Sequence, residues 1–125
     1  MTSTPKLAIF DIDGTIASNS IISPEVKKGF TNLHNKGCKT SLSTGNGFVK
    51  TKLIFGDDFE KLISQDSLII VEHGTKIVNP KGELIFGDFF NESEIDHIID
   101  FLRANLSLFR LVWFNPIDVS KECGC

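Results

Sequence analysis

The sequence predicts an α/β fold built on a partial parallel sheet with helices, and three stretches carry that expectation. Leu7-Ala8-Ile9-Phe10 is a short, uncharged apolar run, the pattern of a strand buried in a parallel sheet. An amphipathic helical stretch then leads to a second strand candidate, which together make a βαβ unit. Leu68-Ile69-Ile70-Val71 is continuous and rich in β-branched residues, so it reads as a third core strand, and a hairpin pattern follows it.

The first strand ends in Asp11-Ile12-Asp13-Gly14-Thr15. Side chains two apart on a strand point to the same side, so Asp11 and Asp13 can present both carboxylates to one small volume just past the sheet edge, where open α/β sheets bind ligands. Gly14 permits a sharp turn and lets a substrate approach the backbone, and Thr15 adds a hydroxyl. A carboxylate in such a place can be phosphorylated as a covalent intermediate when a metal ion offsets the repulsion of the incoming phosphate. In that chemistry Asp11 is the nucleophile, while Asp13 protonates the leaving oxygen and later deprotonates the attacking water. Mg²⁺ held by Asp11 and Asp13 fits best, because it is a hard cation that takes oxygen ligands and keeps several waters. The plainer alternative is an Asp-x-Asp-Gly turn that caps the strand or binds calcium. The apolar strand before it and the Gly-Thr after it favour phosphoryl chemistry.

Ala17-Ser18-Asn19-Ser20 is polar and reads as a loop. Ser23-Pro24-Glu25 opens a helix with a capping hydroxyl and a proline in the first turn; Val26, Phe30 and Leu33 recur at helical spacing, and Gly37 stops it. Cys38 to Ser43 is the second strand, although Lys39 and two serines weaken the pattern. It runs into Ser43-Thr44-Gly45-Asn46-Gly47, where a hydroxyl and backbone amides at a helix start can hold phosphate oxygens. Both strand ends of a βαβ unit lie on one edge of the sheet, so Thr44 and Gly45, with Gly14, are the phosphate-binding candidates beside Asp11.

From Gly47 to Ser64 the apolar spacing predicts one broken helix or two short ones, interrupted at Gly56-Asp57-Asp58, where Asp57 or Asp58 makes a good helix cap. Glu72-His73-Gly74 follows the third strand, and a turn there suits a solvent-facing histidine better than a proton shuttle or substrate contact. Thr75 to Asn79 and Glu83 to Phe86, joined at Pro80-Lys81-Gly82, form the hairpin. Asn91 or Ser93 caps a helix with Ile95, Ile98, Ile99 and Leu102 on one face, and Leu108 to Phe114 reads as a further strand. His34 and His97 fall on helices beside charged residues, where solvated faces explain both.

Composition sets outer bounds. With 125 residues and a formal net charge of -3, the chain supports one real core and carries no basic patch, which argues against nucleic acid. Its apolar runs are too short to span a bilayer and its start lacks a signal core, so no membrane is implied and the cytoplasmic compartment is the default. The cysteine count of 3 is odd, and Cys38 lies in a buried strand, which argues for reduced thiols. Cys123-Gly124-Cys125 offers two thiols, too few for a zinc site, and Glu122 stands where a prenylation signal needs cysteine. A frayed tail is the expected state of this end.

Asp11-Ile12-Asp13-Gly14-Thr15-Ile16 resembles the first signature motif, DxDGT followed by an aliphatic residue, of the haloacid dehalogenase-like phosphohydrolases. Thr44 matches the family's second motif. The usual Thr-Gly-Arg of the sugar-phosphatase-like branch has Asn46 in place of its arginine here. The third strand running into a hairpin resembles the Cof-like branch, with His73 where an asparagine usually stands. The resemblance spans Leu7 to about Phe114. It implies a partial Rossmann-like haloacid dehalogenase-like core with a hairpin over residues 1–90, then the start of an α+β lid over residues 91–125, cut short.

The implied activity is Mg-dependent hydrolysis of small phosphorylated metabolites through an aspartyl-phosphate, with a phosphomutase as a close cousin. Family members also carry, beyond the lid, a lysine beside the phosphorylated aspartate and an acidic motif that completes the metal shell; neither has a place here. Gly56-Asp57-Asp58 resembles that acidic motif by eye, but no apolar strand precedes it. A non-catalytic remnant that binds phosphate or a protein is therefore the alternative, and strong activity calls for a longer chain or a partner. Apolar faces of the lid helix and hairpin left uncovered are a reason to expect self-association. A phospho-accepting receiver domain is disfavoured, since Val71-Glu72-His73 offers no aspartate at the end of the third strand.

Overall fold

β1 (Leu7–Phe10) leads through the aspartate turn into a small antiparallel hairpin, β2 (Ala17–Ser18) and β3 (Ile21–Ile22), before α1 (Pro24–Asn35). The structure, a computed structural model, describes residues 5–105. β4 (Lys39–Leu42) returns parallel to β1, with Leu7 opposite Lys39 and Phe10 opposite Leu42, which completes the expected βαβ unit. α2 (Phe48–Phe55), a 3-10 turn at Gly56–Asp58 and the single-turn α3 (Phe59–Leu62) lead to β5 (Ile69–Val71). β5, β6 (Lys76–Val78) and β7 (Leu84–Gly87) form an antiparallel sheet in that order, and a parallel bridge from Ser43 to Ile70 joins β5 to the end of β4. The chain divides into two compact units, Met1–Asp88 and Phe89–Cys125.

Local chemistry accounts for most of these elements. Ser23 Oγ accepts from the Val26 amide at 3.3 Å with Pro24 in the first turn, so α1 begins where its capping residues lie. It ends through Gly37, at φ 75°, whose amide donates to the His34 carbonyl at 2.8 Å. In the β6–β7 turn, Asn79 Oδ1 accepts from the amides of Lys81 and Glu83, each at 3.0 Å. Two polar residues of β4, Thr40 and Ser41, are buried for a reason. Thr40 Oγ1 donates to the Leu62 carbonyl at 2.6 Å and the Ser41 hydroxyl donates to the Leu68 carbonyl, so their side chains hold the stretch that leads into β5.

The structure corrects several sequence expectations. Ala17 to Ser20 is not a loop but most of the β2–β3 hairpin: Asn19 and Ser20 have φ of 50° and 60°, the left-handed pair that a two-residue I′ turn demands. The usual Asn-Gly signal is absent because Ser20 occupies the second position. Asp58 precedes α3 without capping it, because its carboxylate accepts instead from Lys27 Nζ at 2.7 Å. His34 is half-buried rather than solvated, with Nε2 2.6 Å from Thr40 Oγ1. Since the Thr40 hydroxyl is spent on Leu62, His34 must donate, which assigns a proton to Nε2. β1 is covered on one face only. Leu7 and Ile9 are 49% and 51% exposed, and among the described residues no strand pairs beyond β1.

The core of the first unit lies between β1, β4, β5 and the helices α1, α2 and α3. Ile12, Leu42, Phe59 and Ile69 are wholly buried in it, and rings of Phe10, Phe30, Phe55, Phe59 and Phe48 meet in tilted or edge-on pairs 5.0 to 6.2 Å apart. Cys38 is buried and unpaired. In the second unit, α4 (Glu92–Ala104) starts with a capping box, Asn91 Oδ1 accepting from the Glu94 amide at 3.0 Å while Glu94 Oε2 accepts from the Asn91 amide at 2.8 Å. The expected strand from Leu108 to Phe114 and the Cys-Gly-Cys end lie outside the described residues. Among the described residues no helix is long and apolar enough to cross a membrane.

Candidate active site

The parallel register of β1 and β4 brings their carboxyl ends together. The Ser43 amide donates to the Phe10 carbonyl at 2.9 Å, and one residue further the Thr44 amide donates to the Ile70 carbonyl at 2.9 Å. Asp11, Thr44 and the end of β5 therefore meet at one edge of the sheet, the position from which open α/β sheets bind ligands.

The aspartate turn is wound around one carbonyl. Ile12, wholly buried, accepts at its carbonyl from the amides of Thr15, Ile16 and Ala17 at 3.2, 3.0 and 2.9 Å, and the Gly14 amide donates to the Ala17 carbonyl at 2.9 Å. Gly14 takes φ 76°, a backbone state that a side chain would strain. With Ile12 pointing into the core, Asp11 and Asp13 on either side of it are both exposed. Thr15 Oγ1 donates to Asp11 Oδ2 at 3.2 Å.

The second loop reaches back to this turn. Asn46 Nδ2 donates to Asp13 Oδ2 at 2.7 Å, while the Asn46 amide donates to Thr44 Oγ1 at 3.1 Å. Thr44 is buried and Gly45 half-buried, so the threonine hydroxyl is held at the floor of the loop. A third segment closes on the same loop: the Glu72 amide donates to the Asn46 carbonyl at 3.1 Å and the His73 amide to the Thr44 carbonyl at 3.3 Å. Glu72 and His73 both have positive φ, 50° and 56°, followed by Gly74 at 91°. His73 is exposed, as expected of a turn histidine, yet its ring also covers Gly45: a Cβ added to Gly45 would lie 2.3 Å from Cε1 and 2.6 Å from Nε2. Beside it, Glu72 and Lys76 form an ion pair at 2.8 Å.

Asp11, Asp13, Gly14, Thr44 and Gly45 thus stand on two adjoining loops. The sequence pattern did not single out Asn46 as a partner of Asp13, nor His73 as a cover for Gly45. The missing arginine marked Asn46 as unusual but gave no sign of what it touches.

Among the described residues neither Asp11 nor Asp13 forms an ion pair, so two exposed carboxylates share an edge without a cationic side chain to balance them. Hard oxygen donors of this kind suit Mg²⁺, which retains water where protein ligands run short. They suit less well a cation that needs a full protein cage, since no group of three or more His, Cys, Asp or Glu among the described residues could enclose a metal.

An α/β domain with paired acids and a hydroxyl loop at the carboxyl edge of its parallel strands is the class that fold and site define. The family model of the haloacid dehalogenase-like hydrolases matches residues 8–119, and the chain belongs to that family. Solved structures agree on the fold. A haloacid dehalogenase-like hydrolase from B. subtilis is 24% identical with a TM-score of 0.65, over 81% of this chain and 34% of that one. A phosphatase of the haloalkanoate enzyme superfamily from Bacteroides thetaiotaomicron is 19% identical with a TM-score of 0.64, over 83% of this chain and 37% of that one. A subclass IIB sugar phosphatase of the superfamily is 23% identical with a TM-score of 0.64, over 80% of this chain and 38% of that one. The chain thus spans little more than a third of the length of these structures. No curated protein matches the sequence.

Proposed function

We propose that this chain carries the nucleophile half of a phosphohydrolase for small phosphorylated metabolites, working through an aspartyl-phosphate. The observation that carries the proposal is the 2.7 Å hydrogen bond from Asn46 to Asp13, which ties the acid pair to the Thr44 loop in one site. The subclass IIB sugar phosphatase among the similar structures supports a phosphorylated sugar as the substrate class.

Asp11 attacks phosphorus through a carboxylate oxygen; the new P–O bond forms as the bond to the leaving oxygen breaks, and Asp13 gives that oxygen its proton. Water then attacks the aspartyl-phosphate, Asp13 takes the proton, and phosphate leaves with the Asp11 carboxylate restored. The Thr44 hydroxyl and the Gly45 amide orient the phosphoryl oxygens, with Gly14 keeping the turn open to the substrate. Asp11 and Asp13 would hold Mg²⁺, which supplies charge neutralisation between carboxylate and phosphate when bound.

The test is Mg²⁺-dependent phosphate release from an aryl phosphate by the purified chain, with Asp11→Asn alongside. Release that is lost in the variant supports the proposal, and release that persists in it overturns the assignment of Asp11. A second reading, phosphate binding without turnover, is favoured by the absence of a third acid near the pair among the described residues. Orthophosphate binding in the absence of any Mg²⁺-dependent release selects it.

A further inference from the structure

We infer that His73 is a phosphate contact of this site, an imidazole N–H donor that complements the Thr44–Gly45 loop. The inference rests on the reading of that loop as a phosphate cradle and goes beyond it by adding a residue and a kind of interaction.

The ring meets the loop with its polar edge. A Cβ built on Gly45 would lie 2.3 Å from Cε1, 2.6 Å from Nε2 and 2.9 Å from Nδ1, so the edge that bears both nitrogens, not the carbon stem, rests on Gly45. The absence of a side chain on Gly45 therefore lets the ring lie against the residue whose amide is offered to phosphate. The imidazole nitrogens thus lie against the residue whose amide, with the Thr44 hydroxyl, would seat the anion. A hydrogen bond from the protonated ring to that anion would be charge-assisted.

The ring is free to take that part. His73 is exposed, and among the described residues no hydrogen bond of its ring nitrogens is found. The backbone that carries it is held, because the His73 amide is bound to the Thr44 carbonyl at 3.3 Å and the Glu72 amide to the Asn46 carbonyl at 3.1 Å. Glu72 and His73 are two successive non-glycine residues at positive φ, a backbone state that L side chains resist. A side chain needed only to fill space over Gly45 would not require nitrogen at the touching edge.

The test uses the full chain and orthophosphate, with Mg²⁺ present, in wild type, His73→Phe, His73→Gln and Thr44→Val. Binding is read by calorimetry, and the His73 Cε1–H signal, assigned by its loss in the variants, is followed by NMR. His73→Phe keeps a ring over Gly45 but no donor, and is expected to weaken phosphate about tenfold. His73→Gln keeps a donor and is expected to fall between Phe and wild type, and the His73 signal of the wild type moves on phosphate addition. If Thr44→Val loses phosphate while His73→Phe binds as wild type does, the role of His73 is overturned and the cradle stands. Equal losses in His73→Phe and His73→Gln also overturn it, since a purely structural ring predicts that result. If the wild type fails to bind phosphate, the cradle and the inference fall together.

Discussion

Asn46 Nδ2 donates to Asp13 Oδ2 across 2.7 Å, so the loop after β4 aims the second acid of the turn after β1. A neutral amide here orients the carboxylate without adding charge, which leaves Asp13 able to pass a proton in either direction. Removing it should disturb catalysis rather than folding, because the pair is exposed. Asn46→Ala is expected to lower kcat for an aryl phosphate about tenfold with little change in KM. Asn46→Asp should be worse, since it sets a second negative charge against Asp13. An unchanged kcat in both variants would show that Asp13 needs no orienting partner.

The division of labour between the two acids predicts different responses to the leaving group. Asp11→Asn should abolish release from every substrate, because no covalent step remains. Asp13→Asn should cost on the order of 100-fold or more for an alkyl phosphate, whose leaving oxygen must be protonated. A nitrophenyl phosphate, with a stable leaving anion, should suffer less in the first step. Leaving-group release in the first turnover after rapid quench, compared across the two substrates, separates the roles; equal losses there in Asp13→Asn would remove it as the acid.

Gly45 and His73 should be coupled in stability. A methyl group on Gly45 would fall inside the imidazole, so Gly45→Ala forces the exposed ring or the loop aside, at a cost of about 1 kcal/mol. His73→Ala removes the obstacle. The double variant Gly45→Ala/His73→Ala should therefore be more stable than the sum of the single changes implies, as urea midpoints would show. Strict additivity would mean that the two residues do not touch in solution.

What the sequence revealed, and what it hid, follows the range of the interactions. The end of β1, the Ser23-Pro24 start of α1, the break at Gly56 and the turn at Asn79 to Gly82 were readable because each is set by neighbours within a few residues. That Asp11, Asp13 and Thr44 stand at one edge was also legible, since each follows the end of a strand of one βαβ unit. The β2–β3 hairpin was not, because Ser20 disguises a turn that normally announces itself with glycine. Nor were the bonds from Asn46 to Asp13 and from Thr40 to Leu62, which join residues 33 and 22 apart and leave no local pattern. Half of β1 stands exposed against a pattern of full burial, because an apolar run records that a face prefers to be covered, not what covers it.

Thr40 shows how such a hidden bond bears on stability. Its hydroxyl, wholly buried, donates to the Leu62 carbonyl at 2.6 Å and accepts from His34 Nε2 at 2.6 Å. Thr40→Val is nearly the same shape but strands a buried carbonyl and an imidazole N–H. A loss of about 2 kcal/mol in urea unfolding is expected, beyond that of a half-exposed threonine. Because β4 then loses a tie to the stretch that leads into β5, amide exchange should quicken at Ile63 and Ser64 before it does in α1. Uniform acceleration would indicate global loss of stability alone.

The ion pair that took Asp58 from its capping role makes stability depend on acid. The Lys27 ammonium, hydrogen-bonded at 2.7 Å, holds the Asp58 carboxyl below its ordinary value, and Lys61 at 3.8 Å adds to the effect. The unfolded chain, with the ordinary value, therefore takes up the proton first as the pH falls. The pair's contribution is complete above that ordinary value and is lost as the pH drops through the depressed one. Solvent reaches both side chains, so the contribution is small and screened by salt. Lys27→Met should thus be less stable than wild type near neutral pH in dilute buffer, with the gap closing in acid and in about 1 M salt. A gap that persisted in acid would show that Lys27 acts through the packing of its aliphatic stem rather than through its charge.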